Sequence, residues 1–130
     1  MTNLSALIMV ALGGAAGALA RFGLTVLFQR QAIVFPYGTL ASNLLGCLVI
    51  GILAELAART DLVSGQARLL IATGFCGGFT TLSTLTLEMI MYLRAGAVMA
   101  ATGYFAITFV GAFTSFLAGV MLVRLILRAG

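Results

Sequence analysis

The chain has 130 residues, of which 62% are hydrophobic and 8% are charged. This composition lies far from that of soluble proteins, and at this length it indicates one integral membrane domain spanning residues 1–130. Histidine is absent, which excludes imidazole catalysis and histidine metal ligands. Three carboxylates do not assemble the nucleophile, base and electrophile of an active site, so we predict that the protein is not an enzyme.

Four stretches of the chain are almost free of charge, and most of them reach the roughly 20 residues that a helix needs to cross the hydrocarbon core. They are Leu4–Ala20, Gln31–Ala54, Leu69–Leu87 and Ala95–Val123. The sequence therefore predicts an all-α protein with four transmembrane helices in a lipid bilayer. The polar stretch Glu55–Arg68 is predicted to form a solvated turn between antiparallel spans.

The positive charges are all arginines, and they divide almost evenly between the two sides of the predicted topology. With the N-terminus inside, four are cytoplasmic and three external: Arg59, Arg68, Arg124 and Arg128 against Arg21, Arg30 and Arg94. The positive-inside rule then hardly selects an orientation. Copies of the chain could insert both ways round, or one orientation could win by a small margin. Arg21 directly follows the first apolar stretch, and its side chain can extend to the membrane interface if the span ends there.

Small and polar residues recur at helical spacing in the first two spans. Gly13 and Gly17 lie one turn apart, which favours close contact with another helix. In the second span Thr39 and Asn43 share one helical face. The Asn43 amide must find hydrogen-bond partners in the hydrocarbon, and two interpretations stand open: an interhelical hydrogen bond, or donation to an anion.

The stretch Gly74–Glu88 carries three glycines and five hydroxyl side chains inside a membrane-length segment. Each interior glycine costs about 1 kcal/mol of helix stability, so we predict that the third helix is broken mid-membrane. The freed backbone groups need partners, which the hydroxyls after the break can supply: Thr80, Thr81, Ser83 and Thr84. Interrupted membrane helices commonly hold ions, which predicts an ion site here.

Two features of this stretch have plainer interpretations. A glycine-rich helix that packs closely against its neighbours, through residues such as Gly74 and Gly78, is the alternative to a break. Glu88, in the last turns of the span, either lies at the headgroup level, which we favour, or lines a vestibule.

The fourth span has a second polar stripe, formed by Tyr104, Thr108, Gly111 and Ser115. Together with Asn43 it indicates a shared polar track, although a single membrane hydroxyl more often bonds back to the carbonyl four residues earlier. Both cysteines fall within spans, outside any metal-ligand pattern, and are predicted to be packing residues. We find no internal repeat, so any two-fold symmetry must come from a second copy of the chain.

Three ordered motifs resemble those of the Fluc (CrcB) family of small bacterial fluoride channels. They are Gly13-Gly14-Ala-Ala-Gly17-Ala-Leu-Ala-Arg21, Pro36-Tyr-Gly38-Thr39-Leu-Ala-Ser-Asn43-Leu-Leu-Gly46 and Thr73-Gly74-Phe-Cys76-Gly77-Gly78-Phe-Thr80-Thr81, in the first, second and third spans. The resemblance covers nearly all of the chain. It implies an antiparallel, dual-topology homodimer in the bacterial inner membrane, which exports fluoride passively through two pores and lowers cytoplasmic fluoride.

The resemblance also implies roles for particular residues. A structural Na+ ion at the central two-fold is held in that family by backbone carbonyls that match Gly77 and Thr80. The expected pore residues are Asn43, Ser83, Thr84, Tyr104 and Thr108, together with two leucines.

Those leucines, Leu82 and Leu85, are a departure from the family pattern. The family's break is typically followed by two phenylalanines whose ring edges line each pore, and the leucines occupy the matching positions. Leucine has no quadrupole and offers an anion no positive ring edge. We expect both leucines to face the pore, and fluoride flux to be reduced but selective.

Two other classes of membrane protein share this size. A small dual-topology multidrug-type exporter would match in length and charge parity, but such exporters resemble one another in a membrane-buried glutamate on the first span, and that span here has no acidic residue. A structural subunit of a larger membrane complex is the third interpretation.

Overall fold

A computed structural model describes residues 4–29 and 35–129, and these residues are almost entirely helical. Four stretches are long and apolar enough to cross a membrane: Leu4–Phe28, Tyr37–Arg59, Gly65–Arg94 and Val98–Ala129. For the part of the chain that is described, helix length and composition therefore confirm the prediction of an all-α, multi-pass membrane protein with four spans.

The third span is composite, whereas the other three are single helices. The elements in chain order are α1 (Leu4–Gln29), α2 (Tyr37–Arg59), α3 (Gly65–Arg68), a π-helix (Leu69–Cys76), α4 (Gly77–Phe79), α5 (Leu82–Arg94) and α6 (Val98–Ala129). Between α4 and α5 the backbone is extended at Thr80 (φ −86°, ψ 157°) and Thr81 (φ −153°, ψ 124°). The third span thus consists of two helical parts joined by two extended residues.

Local sequence accounts for several helix ends. The Ser64 side chain accepts a hydrogen bond from the N–H of Ala67, which caps the start of α3. The Thr81 side chain caps α5 in the same way, by accepting from the N–H of Thr84. Gly96 joins α5 to α6 with a φ of +74°, a conformation that residues with a Cβ rarely adopt.

Helix α1 extends farther than the sequence indicated. It does not end near Ala20 but continues to Gln29, so Arg21 lies inside the helix. The first span does not end at Arg21, so the condition for this side chain to extend to the interface is not met. Its Nε instead donates a hydrogen bond to the carbonyl oxygen of Gly78 at 3.1 Å. A guanidinium with a backbone acceptor on a neighbouring span need not mark the end of its own helix. Residues 30–34, between α1 and α2, lie outside the described residues.

Helix α2 also continues past its predicted end, and this corrects the predicted turn. Glu55 was expected at the start of a solvated turn but is buried within α2. Its Oε1 accepts from the Nε of Arg124 in α6 at 2.7 Å, and its carboxylate also pairs with Arg59, one turn along α2. These arginines satisfy the carboxylate, so the helix can continue to Arg59 and only residues 60–64 remain as the turn.

Glycines bring α1 and the first part of the third span into backbone contact. Gly13 and Gly17 of α1 face Gly74 and Gly78. A Cβ added at Gly17 would lie 2.1 Å from the carbonyl oxygen of Phe75, and one added at Gly78 would lie 2.4 Å from a carbonyl oxygen of α1. Such distances are shorter than real Cβ contacts, so this contact requires residues without side chains.

We predict that Gly17→Ala destabilises the protein, because the new methyl group meets backbone that cannot move aside. The expected loss is about 1 to 3 kcal/mol, the usual cost of overpacking, and it should appear as a lower melting temperature of the detergent-purified protein. Gly23→Ala is the matched control on the same helix, since no described atom lies within 4 Å of its added Cβ. Equal melting temperatures for the two variants would contradict the close contact.

Candidate functional site

Asn43 of α2 bridges the extended segment of the third span with two hydrogen bonds. Its Nδ2 donates to the carbonyl oxygen of Thr81 at 3.1 Å, and its Oδ1 accepts from the N–H of Thr81 at 2.7 Å. The amide is therefore engaged between helices, which is one of the two interpretations that the sequence left open. A primary amide nitrogen carries two hydrogens, so its bond to Thr81 uses one of them and leaves the other for a further acceptor.

Two backbone N–H groups that would continue the helix donate to side chains instead. In a continuous α-helix the N–H of Thr81 would bond to the carbonyl of Gly77, but here it donates to Asn43. The N–H of Thr84 would likewise bond to the carbonyl of Thr80, but here it donates to the Thr81 hydroxyl at 3.2 Å. Two main-chain oxygens, those of Gly77 and Thr80, thus lose their helical donors at the break.

Other carbonyls near the break accept hydrogen bonds. The carbonyl of Cys76 accepts from both the N–H and the hydroxyl of Thr80, each at 2.9 Å. That of Gly78 accepts from Arg21. Gly77 is exposed on the surface of the single chain, with no described atom within 4 Å of an added Cβ. The oxygen of Gly77 therefore belongs to an open part of the surface.

Ser83 and Thr84 belong to the capping network of α5. The hydroxyl of Thr81 donates to that of Thr84 at 3.1 Å and lies 3.1 Å from that of Ser83. A cavity lies beside the break, and neither Ser83 nor Thr84 is among the described residues that line it.

The cavity beside the break, of about 230 Å³, lies between α2, α6 and the second part of the third span, and its lining is mostly apolar. We call it the polar groove after the few polar residues in that lining. It is lined by Asn43, Cys47, Ile50, Thr80, Thr81, Leu82, Leu85, Thr108, Phe109 and Ala112. The two leucines contribute differently, since Leu82 is 66% exposed and Leu85 only 2%. The groove therefore brings together Asn43, Thr108 and both leucines.

Thr108 lines the polar groove and carries a buried, unsatisfied polar atom. The residue is only 4% exposed, and its hydroxyl oxygen has no hydrogen-bond partner among the described residues. Thr102 and Thr114 of the same helix behave differently, because each donates to the carbonyl four residues earlier, at 3.0 and 2.9 Å. A buried hydroxyl without a partner costs free energy, so Thr108 marks a place where a ligand or water would be stabilised.

Glu88 lies in a second polar cluster, away from the lining of the groove. Its Oε1 accepts from the Thr39 hydroxyl at 2.8 Å, and its Oε2 accepts from the Tyr104 hydroxyl at 2.7 Å. Tyr104 is fully buried, and Glu88 with Thr39 also lines a small cavity of about 50 Å³. The carboxylate is thus held by side chains of α2 and α6 and does not stand alone near the end of α5.

Several groove residues were not identified from the sequence. Cys47 follows Asn43 by one turn of α2, so extending that helical face would have found it. Phe109 and Ala112 stand beside Thr108 in an apolar helix, where no sequence signal distinguishes them. Cys76, predicted to be a packing residue, is fully buried as a free thiol.

Comparison with known proteins supports one family. The family described as "CrcB-like protein, Camphor Resistance (CrcB)" matches residues 8–120. A protein named fluoride-specific ion channel FluC from Chlorobium phaeobacteroides (strain BS1) is 42% identical over 93% of this chain and 94% of its own length. Proteins with the same name from Methylobacillus flagellatus and Sorangium cellulosum are 42% and 45% identical, over 93% and 86% of this chain and 96% and 87% of their own lengths.

These relatives are named as ion channels and not as enzymes, and the matches extend over most of every chain compared. The matched region contains the break, the polar groove and the Glu88 cluster. The chain belongs to the CrcB (Fluc) family of fluoride channels.

Proposed function

We propose that the protein is a fluoride-selective channel, which lets fluoride leave the cytoplasm passively and so lowers its concentration there. The observation that carries this proposal is the buried, unpartnered hydroxyl of Thr108 on the groove that the Asn43 amide also lines. An anion entering a membrane must exchange its hydration shell for other hydrogen-bond donors. A hydroxyl and the second N–H of an amide are donors of this kind.

Tyr104 and Thr39 extend the set of donors beyond the groove. Their hydroxyls are engaged by Glu88, so a fluoride ion that reaches them must compete with a carboxylate for their protons. Such competition keeps anion binding weak at this point. Weak binding favours conduction, since an ion must be able to leave each site that it enters.

The proposed channel is an antiparallel homodimer with two pores in the bacterial inner membrane. The sequence has no internal repeat, so a two-fold axis requires a second copy. The polar groove and Gly77 are open on the single chain, and a partner copy would cover them. In this arrangement the break lies mid-membrane, where non-helical backbone is tolerated because protein or a watery cavity surrounds it.

A structural Na+ ion at the two-fold completes the proposal, held by the main-chain oxygens of Gly77 and Thr80 from both copies. The residues fit this role, because their carbonyls are the two that lose helical donors when Thr81 and Thr84 donate elsewhere. Carbonyls of unwound membrane helices coordinate Na+ in other transport proteins. The described residues include no cluster of acidic, cysteine or histidine side chains that would compete for a metal ion.

The first test is fluoride efflux from liposomes that contain the purified protein, measured against chloride. We expect fluoride-selective flux, and we expect Asn43→Asp to abolish nearly all of it. The substitution keeps an acceptor for the Thr81 N–H but replaces the donating NH2 with a like charge facing the anion. Gln66→Glu is the control, since it makes the same chemical change on an exposed residue. Unchanged flux in a folded Asn43→Asp dimer would show that the amide serves packing alone.

The second test concerns the sodium ion. Prolonged exchange of Na+ for a large organic cation should lower both the flux and the melting temperature of the dimer. Thr80→Ala should be mild because it keeps the carbonyl, whereas Gly77→Val should be severe. Gly103→Val is the control, since an added Cβ at Gly77 or Gly103 meets no described atom within 4 Å of the single chain. Indifference to the cation would remove the support for a structural ion.

The third test concerns dual topology. Arg21 lies inside α1 and Arg124 lies inside α6, so the remaining arginines divide three against two, a count too close to select an orientation. Dual topology therefore rests mainly on the family resemblance and on the missing repeat. C-terminal reporters that work only in the cytoplasm or only in the periplasm should each give signal. Signal from one side alone would contradict the antiparallel dimer.

A further inference from the structure

The polar groove lacks aromatic side chains at the two positions where the family usually has them. Leu82 and Leu85 are aliphatic, and their contact with an anion brings no favourable electrostatic interaction. The aromatic ring among the described lining residues comes instead from a different helix, at Phe109 of α6. Phe109 and Thr108, which carries the unpartnered hydroxyl, both line this groove.

The ring of Phe109 packs against a second ring of α6. The ring of Phe105, one turn earlier on α6, lies with its centroid 4.4 Å from that of Phe109 and its plane tilted by 34°. At this distance and tilt Phe105 covers one face of Phe109. The faces of an aromatic ring are negative and its edge is positive. An anion in the groove is repelled by the free face and attracted by the edge.

Exposure distinguishes Phe109 from an ordinary lipid-facing residue. It is 39% exposed, although it lies among apolar residues of α6, whereas Phe113 one turn later is 71% exposed and does not line the groove. Phe109 is therefore the less exposed of these two phenylalanines and the one that lines the groove.

From this placement we infer that Phe109 supplies the aromatic edge that contacts fluoride in this chain and contributes to its selectivity, in place of the rings missing from α5. This inference rests on the proposed channel function. The ring edge and Thr108 then contribute to one contact surface, because both residues line the groove. The Thr108 hydroxyl supplies a hydrogen bond to the anion. The Phe109 edge supplies the favourable electrostatic interaction that Leu82 and Leu85 lack.

The test compares Phe109→Leu with Phe113→Leu in the liposome assay. Phe109→Leu should lower fluoride flux about fivefold, the size expected for one lost aromatic interaction, whereas Phe113→Leu should leave it unchanged. Replacing Phe109 with pentafluorophenylalanine inverts the ring's quadrupole with little change of shape, and it should lower flux at least as much as leucine does. Unchanged flux with the fluorinated ring would overturn the inference, even if the leucine variant folded poorly.

A second background tests the idea of replacement. In the double variant Leu82→Phe and Leu85→Phe, further change of Phe109→Leu should cost less than about twofold in flux, because other rings are present. An equal loss in both backgrounds would overturn the inference that Phe109 stands in for those rings. If the unmodified protein passes no fluoride, the proposed function fails, and the inference fails with it. If the unmodified protein passes fluoride and the Phe109 variants pass it at the same rate, only the inference fails.

Discussion

The paired hydrogen bonds between Asn43 and the backbone of Thr81 are the interaction on which the rest of the site depends. They satisfy both the N–H and the carbonyl of a residue that lies outside any helix. Without them these two groups would face apolar surroundings, where each unsatisfied backbone group costs several kcal/mol. One side chain of α2 therefore permits α4 to end and α5 to begin, at the point where the extended residues line the groove.

The charged side chains Arg21, Glu55 and Glu88 form hydrogen bonds across helices in the described spans. Arg21 reaches from α1 to the third span, Glu55 joins α2 to α6, and Glu88 joins α5 to both α2 and α6. These contacts use polar groups as connections between apolar helices, since the lipid gives no hydrophobic drive for association. Against this background the unpartnered hydroxyl of Thr108 is conspicuous. It is the feature that packing alone does not explain.

The number of spans could be predicted from the sequence, because the thickness of the bilayer sets the length of each apolar run. The lengths of α1 and α2 could not. Arg21 and Glu55 look like helix ends in the sequence, and only their partners on other helices show that they lie within helices. The need of Asn43 for a partner was predictable from burial in hydrocarbon, but the identity of that partner, the Thr81 backbone, was not. Phe109 resembles its neighbouring phenylalanines in every property that the sequence records.

The break also bears on how the chain enters the membrane during synthesis. The third span of the chain contains backbone groups that must form hydrogen bonds with water until donors and acceptors of the protein take the place of that water. The replacements come from Asn43 in α2 and Arg21 in α1, both N-terminal to the break. They are therefore made before the segment that needs them. Because the ribosome adds residues in order, α1 and α2 are already made when the third span emerges. The third span can therefore leave the aqueous insertion machinery by docking on α1 and α2, without first entering the lipid alone.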